Sequence, residues 1–512
     1  MDIAGLTLAP VESAVPAWRG TVEPAALVST CVAVRERGGR LAALWGADER
    51  DRAAGFALHA LFIVQNALLW ITVPVPAADP TVPDLTAVFP CADRMQRAVF
   101  DLVGIRHDGG DQRRWLRHAA WPADGFPLRH AGLAGLTPQN GIDDYPFVHV
   151  SGDGVHEIPV GPVHAGIIEP GHFRFSIVGE KVLRLEERLG YKHKGIDRRF
   201  GGVDFKEGFR LAGRISGDST VAYAWAYAMA AETLGGYELQ PRPLVLRALL
   251  LERERIANHL GDLGYLGNDG GFAFGLAQFS RLKEDVLRLN QRLFGHRLLM
   301  DLIVPGGVAR DLPPETGASA LLAQCDALER EVQVLRAIYD DHAGLQDRFL
   351  TCGFLTPQLA SRLGVIGLAG RASGQAWDAR VAPGFDPYDR LEVKMATRRQ
   401  GDVAARVAVR FDEIFESLRL VRTLVEEMPR GASHIALPRP NGERIGLGWV
   451  EGWRGEVLVA IEARDGVIRR CHAHDPSWQN WPALEHAIMG NIVPDFPLIN
   501  KSFNLSYSGH DL

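Results

Sequence analysis

The apolar residues of this chain recur with two different periods, and the change of period marks out its modules. On either side of Gln65-Asn66, ALFIV and ALLWITV are short β-rich runs, which predicts two strands joined by a turn. His59, Gln65 and Asn66 interrupt the apolar stretch Ala57–Val75, so it is read as a hairpin and not as a membrane span, which needs ~20 apolar residues. A Pro-rich loop over Val73–Pro90 follows. Then comes Asp93–Ile105, whose Val99, Phe100, Leu102, Val103 and Ile105 would anchor an element against a sheet. Gly, Pro and Asp at close spacing over 130–150 predict a linker. From about residue 151 the pattern turns helical. Asp218–Glu232 is Ala-rich and reads as a buried helix opening on Asp218 as N-cap. Val245–Gly264, Ala277–Leu299, Ala318–Tyr339 and Ala404–Met428 carry apolar residues at i, i+3, i+4 with charges opposite. From Gly446 alternation returns, with a turn at Arg464-Asp465-Gly466. No internal repeat is visible. The expected fold class is α+β: an α/β domain over 1–135, a linker over 136–150, and over 151–512 a mainly helical bundle with a small C-terminal β region.

Composition narrows the class. With 512 residues, 46% apolar and 23% charged, the chain is that of a globular protein of two or three domains. A net charge of −6 without any basic run excludes nucleic acid as a partner. The five cysteines are scattered singly and no C-x-x-C occurs, so neither a thiolate metal site nor a disulfide framework is expected, and a reducing compartment fits. The N-terminal MDIAGLTLAP lacks a basic n-region followed by a long apolar run, so no secretory signal is expected. Membrane association would then come through partners.

Candidate chemistry concentrates in His156–Glu232. His156, His164, Glu169 and His172 sit among Gly and Pro, followed by the cluster His193, Lys194, Asp197, Arg198 and Arg199. GPVHAGIIEPGHFRF followed by HKGID resembles the large subunit of membrane-bound, energy-converting [NiFe] hydrogenases of the formate hydrogenlyase and hydrogenase-4 type. These are similar in turn to the 49-kDa subunit of respiratory complex I. The resemblance continues through Pro305-Gly306-Gly307-Val308, Arg371-Ala-Ser373-Gly374 with Asp378 and Arg380, Val450-Glu451-Gly-Trp-Arg454-Gly455-Glu456 and Asp475-Pro476-Ser477-Trp478. In the first domain, Asp93–Ile105, Arg113-Arg114-Trp115, Trp121-Pro122 and Pro127-Leu-Arg129 resemble the 30-kDa subunit. The whole therefore looks like a fusion of the 30-kDa and 49-kDa subunits of complex I, the NADH-quinone oxidoreductase.

What the resemblance implies turns on one departure. It places the four nickel thiolates of the hydrogenases at Ser216, Ser219, Ser506 and Gly509, and none is cysteine. A serine hydroxyl stays protonated near neutral pH and is a poor donor to soft nickel, so a nickel–iron centre, and with it a working hydrogenase, is disfavoured. No cofactor bound by this chain alone is expected. Complex I uses the vacated cavity for a quinone. That analogy makes Ser216, Gly217, Ser219, Arg371 and Ser506 cavity-lining, Glu169 a proton-transfer residue, and His164 and His172 its companions. It also makes Asp269 the partner of a site histidine, a carboxylate–imidazole pair suited to proton donation. Gly217 stands where complex I has a tyrosine. Each histidine has a structural alternative, a hydrogen bond to a loop carbonyl, and Arg371, Asp378 and Arg380 have the alternative of bracing the fold. The implied setting is an oxidoreductase active only within a complex on the cytoplasmic face of the cell membrane. It would include an iron–sulfur small subunit similar to the complex I 20-kDa subunit, holding a [4Fe–4S] cluster, and antiporter-like membrane subunits. A non-catalytic scaffold in such a complex is the alternative.

Overall fold

The strands Phe56–Val64 and Ala67–Val75 pair in antiparallel register from Val64↔Ala67 to Phe56↔Val75, with Gln65 and Asn66 both at positive φ (50° and 65°). This is the two-residue turn whose twist matches that of the strands. The hairpin belongs to a five-stranded sheet in the order Ala9–Pro10, Ala17–Thr21, Ala67–Val75, Phe56–Val64, Arg40–Asp48. Every residue of Phe56–Val64 is buried, which explains its unbroken apolar run: both faces of the strand are covered. The Ala92–Val103 helix packs on Arg40–Asp48, where a Cβ at Gly46 would already meet Val99 at 3.0 Å. From the C-terminal region, Arg469 and Arg470 reach Glu49 at 2.9 and 2.8 Å, and Gln479 donates to Ala42 O at 2.7 Å.

The computed structural model describes residues 3, 5–52, 55–138, 140–141, 144–164 and 168–512. Positions 139, 142 and 143 of the expected linker, and 165–167 within GPVHAGIIEPGHFRF, lie outside the described residues.

Helical character begins later than residue 151. Val155–Val160, His172–Val178 and Lys181–Arg188 form a three-stranded antiparallel sheet, and the first helix after it is Ile196–Phe200. Its Gly, Pro and His content hid the alternation, and pairing with the central His172–Val178 strand fixes it as a sheet. The expected long helices are Thr220–Leu234, Pro241–Asp269, Ala273–Phe294, Gly317–Asp341 and Val403–Glu426. Every residue of Thr220–Leu234 except Thr233 is buried. The alanines of this helix lie on the Glu443–Glu451 strand because Gly446 and Gly448 leave room: a Cβ there would meet Ala230 O at 2.0 Å and Ala226 O at 1.8 Å. That strand pairs with Glu456–Arg464, which turns through Asp465-Gly466 into Val467–His474.

Two expectations are corrected here. Asp218 is not the N-cap of the Ala-rich helix: it lies in a short 3-10 turn, Gly217–Ser219. Glu254 of the next helix instead accepts from Val221 N at 2.7 Å and Ala222 N at 3.3 Å, meeting two of the amide donors a helix start leaves open. Nor do the charges of Val245–Gly264 face solvent, for Glu252, Arg253, Glu254 and Arg255 are all buried. Glu252 is satisfied by Arg380 at 3.1 Å, Tyr388 Oη at 2.7 Å and Ser417 Oγ at 2.5 Å. Among the described residues, no helix is long and apolar enough to cross a membrane.

Candidate functional site

The turn before the Ala-rich helix and the last helix of the chain, Tyr507–Asp511, bring Ser216, Ser219, Ser506 and Gly509 together. Ser216 Oγ and Ser506 Oγ are 2.8 Å apart. Ser216 spends its one hydrogen on Asp218 Oδ1 at 2.8 Å, so Ser506 is the donor between the two serines. Ser506 Oγ also accepts from Gly509 N at 2.9 Å and caps the last helix. Arg454 forks onto Asp218, with Nη1 2.7 Å from Oδ1, donates to Ser219 Oγ at 3.1 Å, and holds Asn504 O through Nε. Burial alone would raise the Asp218 carboxyl, but the Arg454 guanidinium and the Ser216 hydroxyl outweigh it and hold it at about 2. The centre of the serine cluster is therefore an ionised carboxylate–guanidinium pair.

The fourth position is closed. A Cβ at Gly509 would stand 2.2 Å from Asp475 Oδ2, the oxygen that accepts from Tyr223 Oη at 2.5 Å. Three hydroxyls and a glycine offer no thiolate, so the donor set does not match a nickel–iron group. Gly217 differs from Gly509: it is exposed, and a Cβ there meets nothing within 4 Å. The cleft touching Gly217, Asp218 and Lys283 measures only about 20 Å³.

Glu169 stands at the rim of this cluster. It accepts from Ser508 N at 3.1 Å and from Ser508 Oγ at 2.7 Å, lies 3.8 Å from Lys192 Nζ, and keeps 34% of its side chain exposed. His164 and His172 take their structural alternative. His164 Nε2 bonds to Gly171 O at 2.7 Å and His172 Nδ1 to Gly161 O at 3.1 Å, so the two rings cross-tie both ends of the loop that carries Glu169. Burial lowers the His172 pKa, which favours the neutral ring.

Among the described residues, Asp269 is not paired with a histidine. It ends the Pro241–Asp269 helix, bonds to Asn268 at 3.4 Å, and among the described residues has no hydrogen bond or ion pair to Glu169, His164 or His172. Carboxylate–imidazole pairs lie elsewhere, between His259 Nε2 and Glu413 Oε2 at 2.7 Å, His510 Nδ1 and Asp511 Oδ1 at 2.9 Å, and His472 Nδ1 and Asp197 Oδ2 at 3.0 Å. Arg371 does not line the serine cluster either. Fully buried, it bridges Glu413 and Glu451 at 2.7 Å each, a brace between helix and strand. Arg454 and Asp475 stand in the motifs quoted above without a place in the site, and Tyr223 is not singled out there, because their partners lie 236 and 252 residues away in the chain.

A second group of possible ligands, Glu49, His59 and Glu462, gathers between the two modules. Trp70 Nε1 donates to His59 Nδ1 at 3.0 Å, and burial holds this ring neutral with a pKa of about 4, so its proton sits on Nε2. Arg469 and Arg470 engage both carboxylates. Both carboxylates are thus engaged by arginines, while His59 Nε2, 3.8 Å from Glu462 Oε1, has no hydrogen-bond partner among the described residues.

Comparison with known proteins accounts for this arrangement. Residues 20–132 match the family model of the respiratory-chain NADH dehydrogenase 30 Kd subunit, and 269–441 that of the 49 Kd subunit. Formate hydrogenlyase subunit 5 of Escherichia coli is 31% identical over 490 residues, covering 93% of this chain and 85% of its own. The fused C/D subunit of the NADH-quinone oxidoreductase of Phocaeicola vulgatus is 27% identical, covering 75% and 78%. Among solved structures, a chain of the membrane-bound sulfane sulfur reductase, an archaeal respiratory membrane complex, superposes with a TM-score of 0.67 at 22% identity over 71% of this chain and all of its own, a likeness of fold. The chain belongs to the family of oxidoreductase subunits that fuse the complex I 30-kDa and 49-kDa domains and that includes formate hydrogenlyase subunit 5.

Proposed function

We propose that this chain is the subunit of a membrane-associated, complex-I-related oxidoreductase whose serine cluster faces the point where electrons reach a quinone or another small acceptor, with no nickel–iron centre. The observation that carries the reading is the Asp218–Arg454 pair seated among Ser216, Ser219 and Ser506, with Asp475 against Gly509. Soft metals demand thiolates, whereas an ion pair with hydroxyls around it offers hydrogen bonds to a polar headgroup. Two relatives' names speak of acceptors other than protons, a quinone in one and sulfane sulfur in the other. Reduction of a quinone to its quinol takes two electrons and two protons. The electrons would come from a [4Fe–4S] cluster in a partner similar to the complex I 20-kDa subunit. Both protons would pass in turn through Glu169, the carboxylate at the rim, whose partly exposed side chain solvent would re-protonate between the two steps, with the His164/His172 cross-ties holding its loop. The cleft of about 20 Å³ is far below the ~300 Å³ that ligand pockets need, so the partner would complete the pocket. Antiporter-like subunits would anchor the assembly at the cytoplasmic face. The division into 1–135, a linker over 136–150 and 151–512 belongs to the same reading.

The smallness of that cleft also favours a second reading, a scaffold whose cavity has closed. Purification of the intact complex, with elemental analysis and a screen of quinone and sulfane sulfur acceptors, tests both. About one nickel per chain, or hydrogen evolution, would overturn the first reading. Absence of turnover with every acceptor would leave the scaffold.

A further inference from the structure

Away from the serine cluster, a groove of about 780 Å³ runs between the N-terminal module and the bundle. One wall is formed by the end of the Leu27–Glu36 helix and the hairpin turn at Gln65-Asn66, and the other by the Pro357–Leu363 helix with the segments 364–366 and 375–377. Among the described residues four arginines line it, Arg35, Arg37, Arg40 and Arg362, and no Asp or Glu does. In a chain of net charge −6, that is a local concentration of positive charge, of which Arg40 alone is met by a carboxylate, Glu456, among the described residues. Arg35 donates to Val88 O at 3.1 Å and Arg37 to Ala33 O at 3.2 Å, and neither they nor Arg362 has a carboxylate partner among the described residues. Arg35 and Arg362 sit in the last turns of their helices, where carbonyl dipoles meet part of a positive charge but not all of it.

The floor of the groove is built. Arg40 bonds to Glu456 and packs over the ring of Trp377 at 4.8 Å. Its Nη1 and Trp377 Nε1 are buried donors without an acceptor. A buried donor left unpaired costs roughly 1–3 kcal/mol, so such groups mark places where an acceptor belongs. Guanidinium forks match carboxylate and phosphate oxygens two at a time, and the groove has the volume of a small-molecule site.

We propose that this groove binds a small oxyanion of several charges, a polycarboxylate or a polyphosphate, which would bridge Arg35 and Arg37 on one module to Arg362 on the other. Bound there, it would hold the two modules together and stabilise the chain by RT ln(1 + [L]/Kd). Citrate and tripolyphosphate serve as probes, titrated by calorimetry into the full-length chain purified with the subunits it assembles with, at near-physiological salt. We expect saturable binding of at least one probe with Kd below about 1 mM, and at least tenfold weaker binding in Arg35→Gln/Arg37→Gln/Arg362→Gln. Citrate alone binding would mark a carboxylate site, tripolyphosphate alone a phosphate site. Arg362→Gln by itself, a change at an exposed position, weakens binding in the same direction should the triple variant fail to assemble. The proposal is overturned if neither probe binds saturably by about 10 mM, or if the arginine variants bind as the native protein does. Either result leaves the reading of the serine cluster untouched, since the two sites share no residue.

Discussion

Asp475 Oδ2 occupies the space into which a side chain at Gly509 would project, 2.2 Å from where its Cβ would be. Tyr223 Oη holds that oxygen in place at 2.5 Å, and Ser477 N holds the other at 2.8 Å, so the carboxylate has little freedom to retreat. Overpacking of this kind costs about 1–3 kcal/mol. Gly509→Ala should therefore lower stability by that order, whereas Gly217→Ala, at an exposed glycine with open space beyond it, should stay within about 0.5 kcal/mol. Thermal denaturation of the two variants side by side checks the contrast. Equal effects would mean that the 509 position is not closed.

Arg454 is buried, and Asp218 is its carboxylate partner, with 40% of the aspartate side chain exposed. Arg454→Met strands the aspartate, the Ser219 hydroxyl and the Asn504 carbonyl, and we expect a loss of about 2 kcal/mol, below the 3–5 kcal/mol of a fully buried pair because water reaches the aspartate. Asp218→Asn in the same chain should recover part of it. A double-mutant cycle on denaturation midpoints measures the coupling, and strict additivity would contradict the pairing.

Glu254 gives a signed pH dependence. Burial raises its carboxyl to about 8 against the lowering effect of the Val221 and Ala222 amides. Its folded pKa thus lies above its unfolded one, so between about 4.5 and 8 the folded chain holds a proton that the unfolded chain has lost. Stability from this group is full below that window and falls as pH rises through it, by about 1.4 kcal/mol per pH unit. Glu254→Gln, which keeps an acceptor for Val221 N, should match the native protein near pH 4 and exceed it in melting temperature near pH 8.5. Parallel melting curves for the two proteins would contradict the assignment.

These residues also show where the sequence was legible. Gln65-Asn66 and Asp465-Gly466 announced their turns, because positive φ at both positions is a local demand that few residues meet. The long helices followed from apolar spacing. The Val155–Arg188 sheet did not, because its strands lie among Gly, Pro and His, and only pairing reveals the alternation. The Glu252–Arg255 run looked like a solvent face for a related reason. Charges there are met by Arg380, Glu413 and Ser417, 128 to 165 positions further on in the chain, and no local window contains them. Resemblance located Ser216, Ser219, Ser506 and Glu169 in one neighbourhood. It misplaced Asp269, which bonds to Asn268 at the end of its helix, and Arg371, which is spent on Glu413 and Glu451.

The claim that the cluster is a working redox site is tested most directly by acceptor turnover of the intact complex carrying Glu169→Gln. The amide keeps an oxygen for Ser508 N and Oγ, so the loop and the assembly should be retained while the titrating group is lost. A positioned acid–base group contributes ~10²–10⁴-fold, so turnover should fall at least about tenfold, with Asp269→Asn, which has no bond to this loop, staying within about twofold. Native turnover in Glu169→Gln would contradict the account and leave the subunit a scaffold.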